Sequence, residues 1–362
     1  MNDNDLKFMK VAMKLSKKGI NYVDDNPMVG CVIVKNNKII SKGYHKKSGS
    51  NHAEIEAIIN LKSVVTDDMI MYVTLEPCTH FGKTPPCADA IIKSGIRNVV
   101  IATLDPNPIN TGNGVKKLND FNIKTKIGIL ENEIKSLNNI FFFSQRSEYP
   151  YIFSKIAMSI DGKTATHCGN SKWITSPLAR EFVKKERDKY MAIMVGTNTI
   201  IKDDPTLFGK YKNPIRIIID RELKISIESN VYQTADVAKN ILVTSVKMYN
   251  SFILNNLSPL VSQIIFVNEN NNKLNIEEAL VKLKKIGIVS IYVEGGAELH
   301  WSLLEKNLCN RIQFIIAPLI IGGKQAKCTV GGKGVDSLLD SFQLSNIKIR
   351  RLNNEIIYEG DL

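Results

Sequence analysis

Met69-Ile70-Met71-Tyr72-Val73-Thr74-Leu75-Glu76-Pro77-Cys78-Thr79-His80-Phe81-Gly82-Lys83-Thr84-Pro85-Pro86-Cys87-Ala88-Asp89 runs from an apolar segment to a helix start, with a cysteine at each end of the loop between them. The apolar, β-branched run Met69 to Thr74 reads as a buried strand. Thr84-Pro85 reads as an N-cap followed by proline at the first helical position. Cys87 then falls in the first turn, where the helix dipole and free N–H groups favour a thiolate. Ala88 to Lys93 reads as a helix stopped by Gly95, and Asn98 to Thr103 as the next strand. Upstream, Leu6 to Lys18 carries an amphipathic helix pattern closed by Gly19, and Val29 to Val34 reads as a strand. Asn36-Asn37 is expected to turn that strand into Ile39 to Gly43, and His52 to Leu61 to form a helix. The alternation predicts an α/β domain with helices on both sides of a sheet.

The pattern breaks near 138–150, where Ile140-Phe141-Phe142-Phe143 gives way to Ser144-Gln145-Arg146-Ser147-Glu148-Tyr149-Pro150. A chain of 362 residues exceeds the size at which one core usually stops growing. We therefore divide it into domains 1–146 and 147–362. The second half starts with a strand-like Tyr151 to Met158. Parallel-strand candidates follow at Ala192–Val195, Ile215–Ile219, Ile241–Val243, Ile264–Val267, Ile288–Val293 and Ile312–Ala317, which predicts a second open α/β sheet. Asn268-Glu269-Asn270-Asn271-Asn272 reads as a turn or loop.

Hydrophobic residues at 44%, charged residues at 23% and a mean hydropathy of -0.08 exclude a disordered chain, and no apolar run is long enough to span a bilayer. The start Met1-Asn2-Asp3-Asn4-Asp5-Leu6-Lys7 lacks the pattern of a signal peptide, so a cytoplasmic protein is expected. The net charge of +12 permits anionic partners without choosing among nucleic acid, acidic membrane and phosphorylated small molecules, because the lysines are scattered. Six dispersed cysteines are too few for a disulfide framework in a chain of this length, so grouped cysteines read as ligands.

His52-Ala53-Glu54, Pro77-Cys78 and Cys87 form such a group. One imidazole and two thiolates make a three-ligand zinc site whose fourth position stays open to water, and the metal brings the pKa of that water down to about 7. Glu54 is then free to carry protons from the water to a ring nitrogen and departing ammonia. A competing reading makes Glu54 the third residue of a capping box begun by Asn51. Residues two apart also point about 200° apart on a regular helix, so His52 and Glu54 can share a site only at its end.

These residues resemble the cytidine/deoxycytidylate deaminase superfamily, where Cys-x-x-Cys is the usual spacing. Here eight residues separate Cys78 from Cys87. That longer loop, with Asn26-Pro27-Met28-Val29-Gly30-Cys31 upstream and Asp105-Pro106-Asn107-Pro108 downstream, resembles the RibD family of riboflavin biosynthesis. The resemblance implies deamination of a diaminohydroxypyrimidine bearing a ribosylamino phosphate, with one Zn²⁺ in the deaminase domain. It also implies that Asn26, His45, His80 and Lys83 line the pyrimidine and phosphate site.

In the second half, Val293-Glu294-Gly295-Gly296-Ala297-Glu298-Leu299 runs a strand into paired glycines and a helix, a geometry that suits a phosphate or an ordinary tight turn. Met194-Val195-Gly196-Thr197-Asn198-Thr199 repeats the idea. Ser154-Lys155-Ile156-Ala157-Met158-Ser159-Ile160-Asp161-Gly162-Lys163, Trp173-Ile174-Thr175-Ser176, Asp203-Asp204-Pro205 and Glu294-Gly295-Gly296 are similar to the RibD C-terminal reductase, whose fold is dihydrofolate-reductase-like and whose cofactor is NADPH. By that similarity Ala157, Trp173, Thr199, Asp203, Gly296, Ala297, Glu298, Leu299, His300, Trp301 and Ser302 would contact NADPH. Ser171, Arg187, Leu207, Lys210 and Glu294 would contact substrate, and Lys155, Asp203 and Glu294 would act at the reacting ribose. The family's arginine after Asp-Asp-Pro-x-Leu is missing, and Leu207-Phe208-Gly209-Lys210 offers only Lys210 in its place.

The expected architecture is therefore α/β throughout, a cytidine-deaminase-like domain followed by a dihydrofolate-reductase-like domain. The expected protein is a bifunctional enzyme that deaminates 2,5-diamino-6-(5-phosphoribosylamino)pyrimidin-4-one and then reduces its ribosyl chain to ribityl. Its partners would be phosphorylated pyrimidines and further copies of itself, with no nucleic acid and no membrane. The alternatives are a transfer-RNA deaminase with an accessory C-terminal domain, and a non-catalytic zinc and nucleotide-binding module, against which Glu54 argues.

Overall fold

A computed structural model describes residues 3–22 and 25–362. The chain divides into two compact units, Met1–Ser147 and Glu148–Leu362.

The first unit holds a five-stranded sheet of β1 (Gly30–Lys35), β2 (Lys38–Tyr44), β3 (Ile70–Val73), β4 (Asn98–Ile101) and β5 (Lys124–Ile127), in the order β2-β1-β3-β4-β5. β1 runs antiparallel to β2 and β3, while β3, β4 and β5 are parallel. Asn36 and Asn37 make the hairpin turn with φ of 48° and 57°, the left-handed pair that a two-residue turn requires. Side chains alternate across the sheet. Cys31, Ile33, Met71, Val73, Val99 and Ile101 face the helices Ala53–Ile59 and Cys87–Ser94, whereas Val32, Val34, Tyr72 and Val100 face Asp3–Ser16 and Glu131–Leu137.

Some local expectations need correction. Thr84 is not the N-cap; Pro86 is, extended at φ -60° and ψ 132°, and Cys87 is the first helical residue. A residue before proline is pushed out of the helical region, so Pro85 cannot open the helix ahead of Pro86. Nor do Asn51 and Glu54 form a capping box: His52 is the N-cap of Ala53–Ile59, without a side-chain capping bond, and the Asn51 amide donates instead to Glu56 at 3.3 Å.

The second unit is built on a nine-stranded sheet. Its strands are β6 (Tyr151–Ser159), β8 (Ala192–Gly196), β9 (Ile215–Ile219), β10 (Asn240–Ser245), β11 (Gln263–Val267), β14 (Ser290–Val293), β15 (Arg311–Ala317), β17 (Ser345–Leu352) and β18 (Glu355–Asp361). The order is β11-β10-β9-β8-β14-β6-β15-β18-β17, parallel from β11 through β15 and closed by the antiparallel hairpin β17–β18. Short ladders join β7 (Lys163–Ala165) to β16 (Lys327–Cys328) and β12 (Glu269–Asn270) to β13 (Lys273–Leu274). At 268–272, expected as a turn or loop, the turn is made by Asn271 and Asn272 at φ 50° and 58°, and the second ladder adds a short strand on either side of it. The core packs the central strands against Ile276–Lys285 and Ala297–Leu304 through Ile152, Val243, Leu280, Leu283, Ile291 and Leu303. Among the described residues, no helix is long and apolar enough to cross a membrane.

Candidate active sites

In the first unit, β3 delivers Cys78 to the N-termini of two helices, one begun by His52 and the other by Cys87. His52 Nδ1 lies 3.2 Å from Cys87 Sγ and 3.6 Å from Cys78 Sγ, and all three ligand atoms fall within 4.8 Å of one another. Bonds of about 2.3 Å to sulfur and about 2.0 Å to nitrogen place tetrahedral ligands roughly 3.5 Å apart, so the donors fit zinc. Cys78 accepts from the Cys87 N–H at 3.3 Å. Hydrogen bonding to Cys87, aided by His52 and against burial, holds the Cys78 thiol down to about 4, while the same bond and burial push Cys87 up. Deprotonated Cys78 is the form that binds metal.

Glu54 is buried, 3% exposed, at the helix end where it can share the site with His52. Burial raises its carboxyl to about 7, opposed by His52, and it lies in hydrogen-bond contact with Cys87. His45 packs edge-on against His52 with ring centroids 5.3 Å apart; its Nδ1 faces Asn51 O at 3.2 Å and its buried Nε2 has no partner among the described residues. Burial holds this imidazole below its ordinary value. Asn26 and Lys83 meet at Ser48, each donating to its hydroxyl at 2.9 Å. His80 is exposed in the loop after Cys78.

Three supports escaped sequence reasoning. Thr84 Oγ1 lies 3.2 Å from His52 Nε2, which orients the ring so that Nδ1 faces the thiols. Asn138 clamps the Asn26 loop by accepting from Met28 N at 2.8 Å and donating to Met28 O at 3.1 Å. On either side of Cys78, the Glu76 carboxylate accepts from Asp105 N at 3.1 Å and Asn110 Oδ1 accepts from Thr79 N at 2.9 Å. No periodicity marks any of these, although Thr84 and Glu76 lie inside the quoted motifs.

In the second unit, Glu294 at the end of β14 is the hub. It pairs with Lys155 at 2.9 Å and with Arg187 at 2.5 and 3.1 Å. Burial alone would raise its carboxyl, but Arg187 and then Lys155 hold it down at about 2. Arg187 also donates to Phe208 O at 2.7 Å, next to Leu207, which is buried with φ 58°. Ser171 donates to Asp203 at 3.0 Å. Lys210, however, pairs with Glu181, and its main-chain N–H donates to Asp188 at 3.1 Å, so a phosphate there must compete with a carboxylate.

Of the adjacent parallel strands β8 and β14, β8 ends in Gly196 and β14 is followed three residues on by Gly296, and each glycine is the N-cap of a helix without a side-chain capping bond. A helix start of this kind, with first-turn N–H groups and no side-chain cap, suits an anionic group such as a dinucleotide pyrophosphate. A Cβ on Gly296 would come within 3.8 Å of Thr199 Oγ1, which brings these two together. Ala157 lies on β6 beside β15. Trp173 is 68% exposed, with the Arg180 guanidinium 4.1 Å from its ring centre. Within Ala297–Leu304, Glu298 pairs with Lys273 and accepts from Gly332 N, and Ser302 donates to Glu298 O. Leu299 packs on the core, and His300 and Trp301 are buried, with Trp301 bonded to Glu305. The span Gly296–Ser302 therefore offers a ligand mainly its main-chain start, not these three side chains.

Residues 2–103 match the cytidine and deoxycytidylate deaminase zinc-binding region, and residues 150–358 match the RibD C-terminal domain. The riboflavin biosynthesis protein RibD of Aquifex aeolicus is 40% identical over 98% of this chain and 97% of its own length, and that of Actinobacillus pleuropneumoniae 38% identical over 99% and 94%. Among solved structures, the diaminohydroxyphosphoribosylaminopyrimidine deaminase/5-amino-6-(5-phosphoribosylamino)uracil reductase of Thermotoga maritima aligns over 99% of both chains with TM-score 0.86 and 33% identity. Acinetobacter baumannii RibD aligns over 99% of both with TM-score 0.87 and 30% identity. Matches that run through both halves do not favour the transfer-RNA reading.

Proposed function

The chain belongs to the RibD family and is a bifunctional deaminase and reductase of riboflavin biosynthesis, and from that premise we propose the residues that carry each step. The observation that carries the reading is the convergence of His52, Cys78 and Cys87 beside buried Glu54. His52, Cys78 and Cys87 hold zinc, which when bound supplies a Lewis acid that activates water at neutral pH. Glu54 takes a proton from the attacking water and passes it to the pyrimidine ring nitrogen and the leaving ammonia. His45 and Asn26 orient the ring, while His80 and Lys83 face the phosphate. Ser48, which receives both Asn26 and Lys83, ties the two halves of that subsite together.

In the second unit the reading assigns the Gly196 and Gly296 turns, Ala157, Thr199, Asp203 and Trp173 to a nicotinamide cofactor, NADPH, which supplies hydride. Ser171, Arg187 and Leu207 bind the ribosylamino pyrimidine, with Lys210 at its phosphate. The Asp203 carboxylate stabilises positive charge that develops at the ribose C1′. Lys155 and Arg187, fixed by Glu294, leave a net positive pocket floor suited to a phosphorylated substrate. The same reading takes the protein to be cytoplasmic, free of nucleic acid and membrane, and a homo-oligomer. Leu338 and Leu339, 88% and 96% exposed, and Ile349 on edge strand β17 support self-association.

Purified protein given the diaminopyrimidine ribosylamino phosphate is expected to release ammonia and then to oxidise NADPH in preference to NADH. Ammonia release without consumption of either dinucleotide would sink the reductase assignments. Cys87→Ser is expected to lower bound zinc and deamination together, as read by a colorimetric metal assay. Unchanged metal content would strike Cys87 from the ligands.

A further inference from the structure

Glu76 and the Asp105-Pro106-Asn107-Pro108 segment have no part in the chemistry above, yet they build one of the most thoroughly bonded buried polar clusters of the first unit. Glu76 is 2% exposed, Asp105 7% and Asn110 0%. The Glu76 carboxylate accepts main-chain N–H bonds from Asp105 at 3.1 Å and Gly112 at 3.0 Å on one oxygen, and from Val115 at 3.1 Å on the other. Gly114 lies so close beneath that a Cβ would come within 2.2 Å of Pro77 O and 2.9 Å of Glu76 Cγ. On the far side of Cys78, Asn110 Oδ1 accepts from Thr79 N at 2.9 Å and Thr79 Oγ1 at 3.0 Å. The Asn110 amide in turn donates to Asp105 at 3.0 Å, and Asp105 accepts from Asn107 N at 2.9 Å.

Residues 105–115 thus hold the Glu76 side chain, two residues before Cys78, and the main chain of Thr79 immediately after it. The other hold on this cysteine comes from the Cys87 helix, through Cys87 N to Cys78 Sγ at 3.3 Å and Ala88 N to Cys78 O at 3.1 Å. A buried carboxylate is costly unless its lone pairs are used, and here backbone donors 29 to 39 positions further along the chain use them. Glutamine at this position would present an NH₂ group to at least one N–H donor. Such an arrangement spends a buried charge on the relative placement of two loops.

We propose that Glu76 is a positioning residue of the metal centre: with Asn110 it fixes Cys78 so that its sulfur stays within ligand distance of His52 Nδ1 and Cys87, without Glu76 touching metal or substrate. The proposal rests on the reading of His52, Cys78 and Cys87 as the zinc ligands. The Asp105-Pro106-Asn107-Pro108 turn then has a task, since it presents Asn110 to Thr79 and closes the loop over Glu76.

The test uses the zinc-loaded full-length chain and the variants Glu76→Gln, Glu76→Asp and Asn110→Ala. It follows zinc release to a chelator, deamination against added zinc, and reduction by the second unit of the same chain as an internal control. Glu76→Gln and Asn110→Ala are expected to weaken zinc binding about 10- to 100-fold, the usual effect of losing an outer partner of a ligand. Excess zinc is expected to return kcat for deamination close to wild type, reduction to be unchanged, and Glu76→Asp to recover part of the affinity. Zinc release at the wild-type rate would overturn the proposal, as would a deamination loss that saturating zinc does not repair. If Glu76→Gln fails to fold, Asn110→Ala carries the same comparison from the other side of Cys78. A wild-type chain that binds no zinc would instead refute the ligand reading itself.

Discussion

Glu54→Gln is expected to keep its zinc and lose deamination by about 10²- to 10⁴-fold, the range that a positioned proton carrier contributes. The substitution conserves shape at a site where the side chain is 3% exposed, so the fold is left in place. Three other residues supply the metal donors, which is why zinc content is expected to stay near one per chain. What disappears is the group that can hold a proton between its removal from water and its delivery to ammonia. Burial, which raises the carboxyl to about 7, makes it a better carrier than an exposed glutamate whose proton leaves near pH 4. Ammonia release, zinc content and reduction measured on one preparation check the prediction. Turnover at the wild-type rate would refute the shuttle role, and loss of zinc would move Glu54 into the ligand set.

The second large effect is expected at Glu294. Glu294→Ala strands Lys155 and Arg187, whose side chains are 12% and 14% exposed, as two like charges without their common partner. Removing one member of a buried ion pair costs about 3–5 kcal/mol, so the second unit is expected to unfold at clearly lower temperature and reduction to be lost while deamination persists. Acid acts on the same contact. The Glu294 carboxyl sits at about 2 in the folded chain against an ordinary 4.5, so its contribution is complete above about pH 4.5 and disappears as pH falls towards 2. That contribution is about 3 kcal/mol, and the variant is expected to lack this part of the acid dependence. Thermal unfolding of both chains between pH 6 and pH 3 measures it. Identical curves would show that the trio does not stabilise the unit.

What the sequence made legible follows from period and punctuation. Ile215–Ile219 is a strand over the same residues that the apolar run marked, and the expected runs beginning at Ala192, Ile264 and Ile312 lie in the same parallel sheet. Continuous apolar runs of this length have few other places to go once both faces of a sheet are covered. Asn36-Asn37 and Gly95 were legible because each needs a left-handed backbone. The ligands could be read because His-x-Glu and Pro-Cys carry their chemistry in the residue types themselves. Their supports could not be read in this way. Asn138 reaches Met28 across 110 positions, Asn110 reaches Thr79 across 31, and Glu294 gathers a cation from β6 and another from the helix Pro177–Arg187. Such contacts exist only after the chain has folded, and no spacing rule links the partners. The tandem proline at 85–86 is a smaller case, where one local rule for helix starts was overruled by another.

On the proposed role of His45 in the pyrimidine site, its buried Nε2, which has no partner among the described residues, bears on which pyrimidines are accepted. A buried ring nitrogen without a hydrogen-bond partner costs about 1–3 kcal/mol. A pyrimidine that offers His45 a partner gains its own hydrogen bond and also removes that standing cost. One that lacks the matching group leaves the cost in place and is disfavoured by about 10- to 100-fold before any bond is broken. On that reading, discrimination among pyrimidines begins with the hydrogen bond that His45 offers the ring, before any bond is broken.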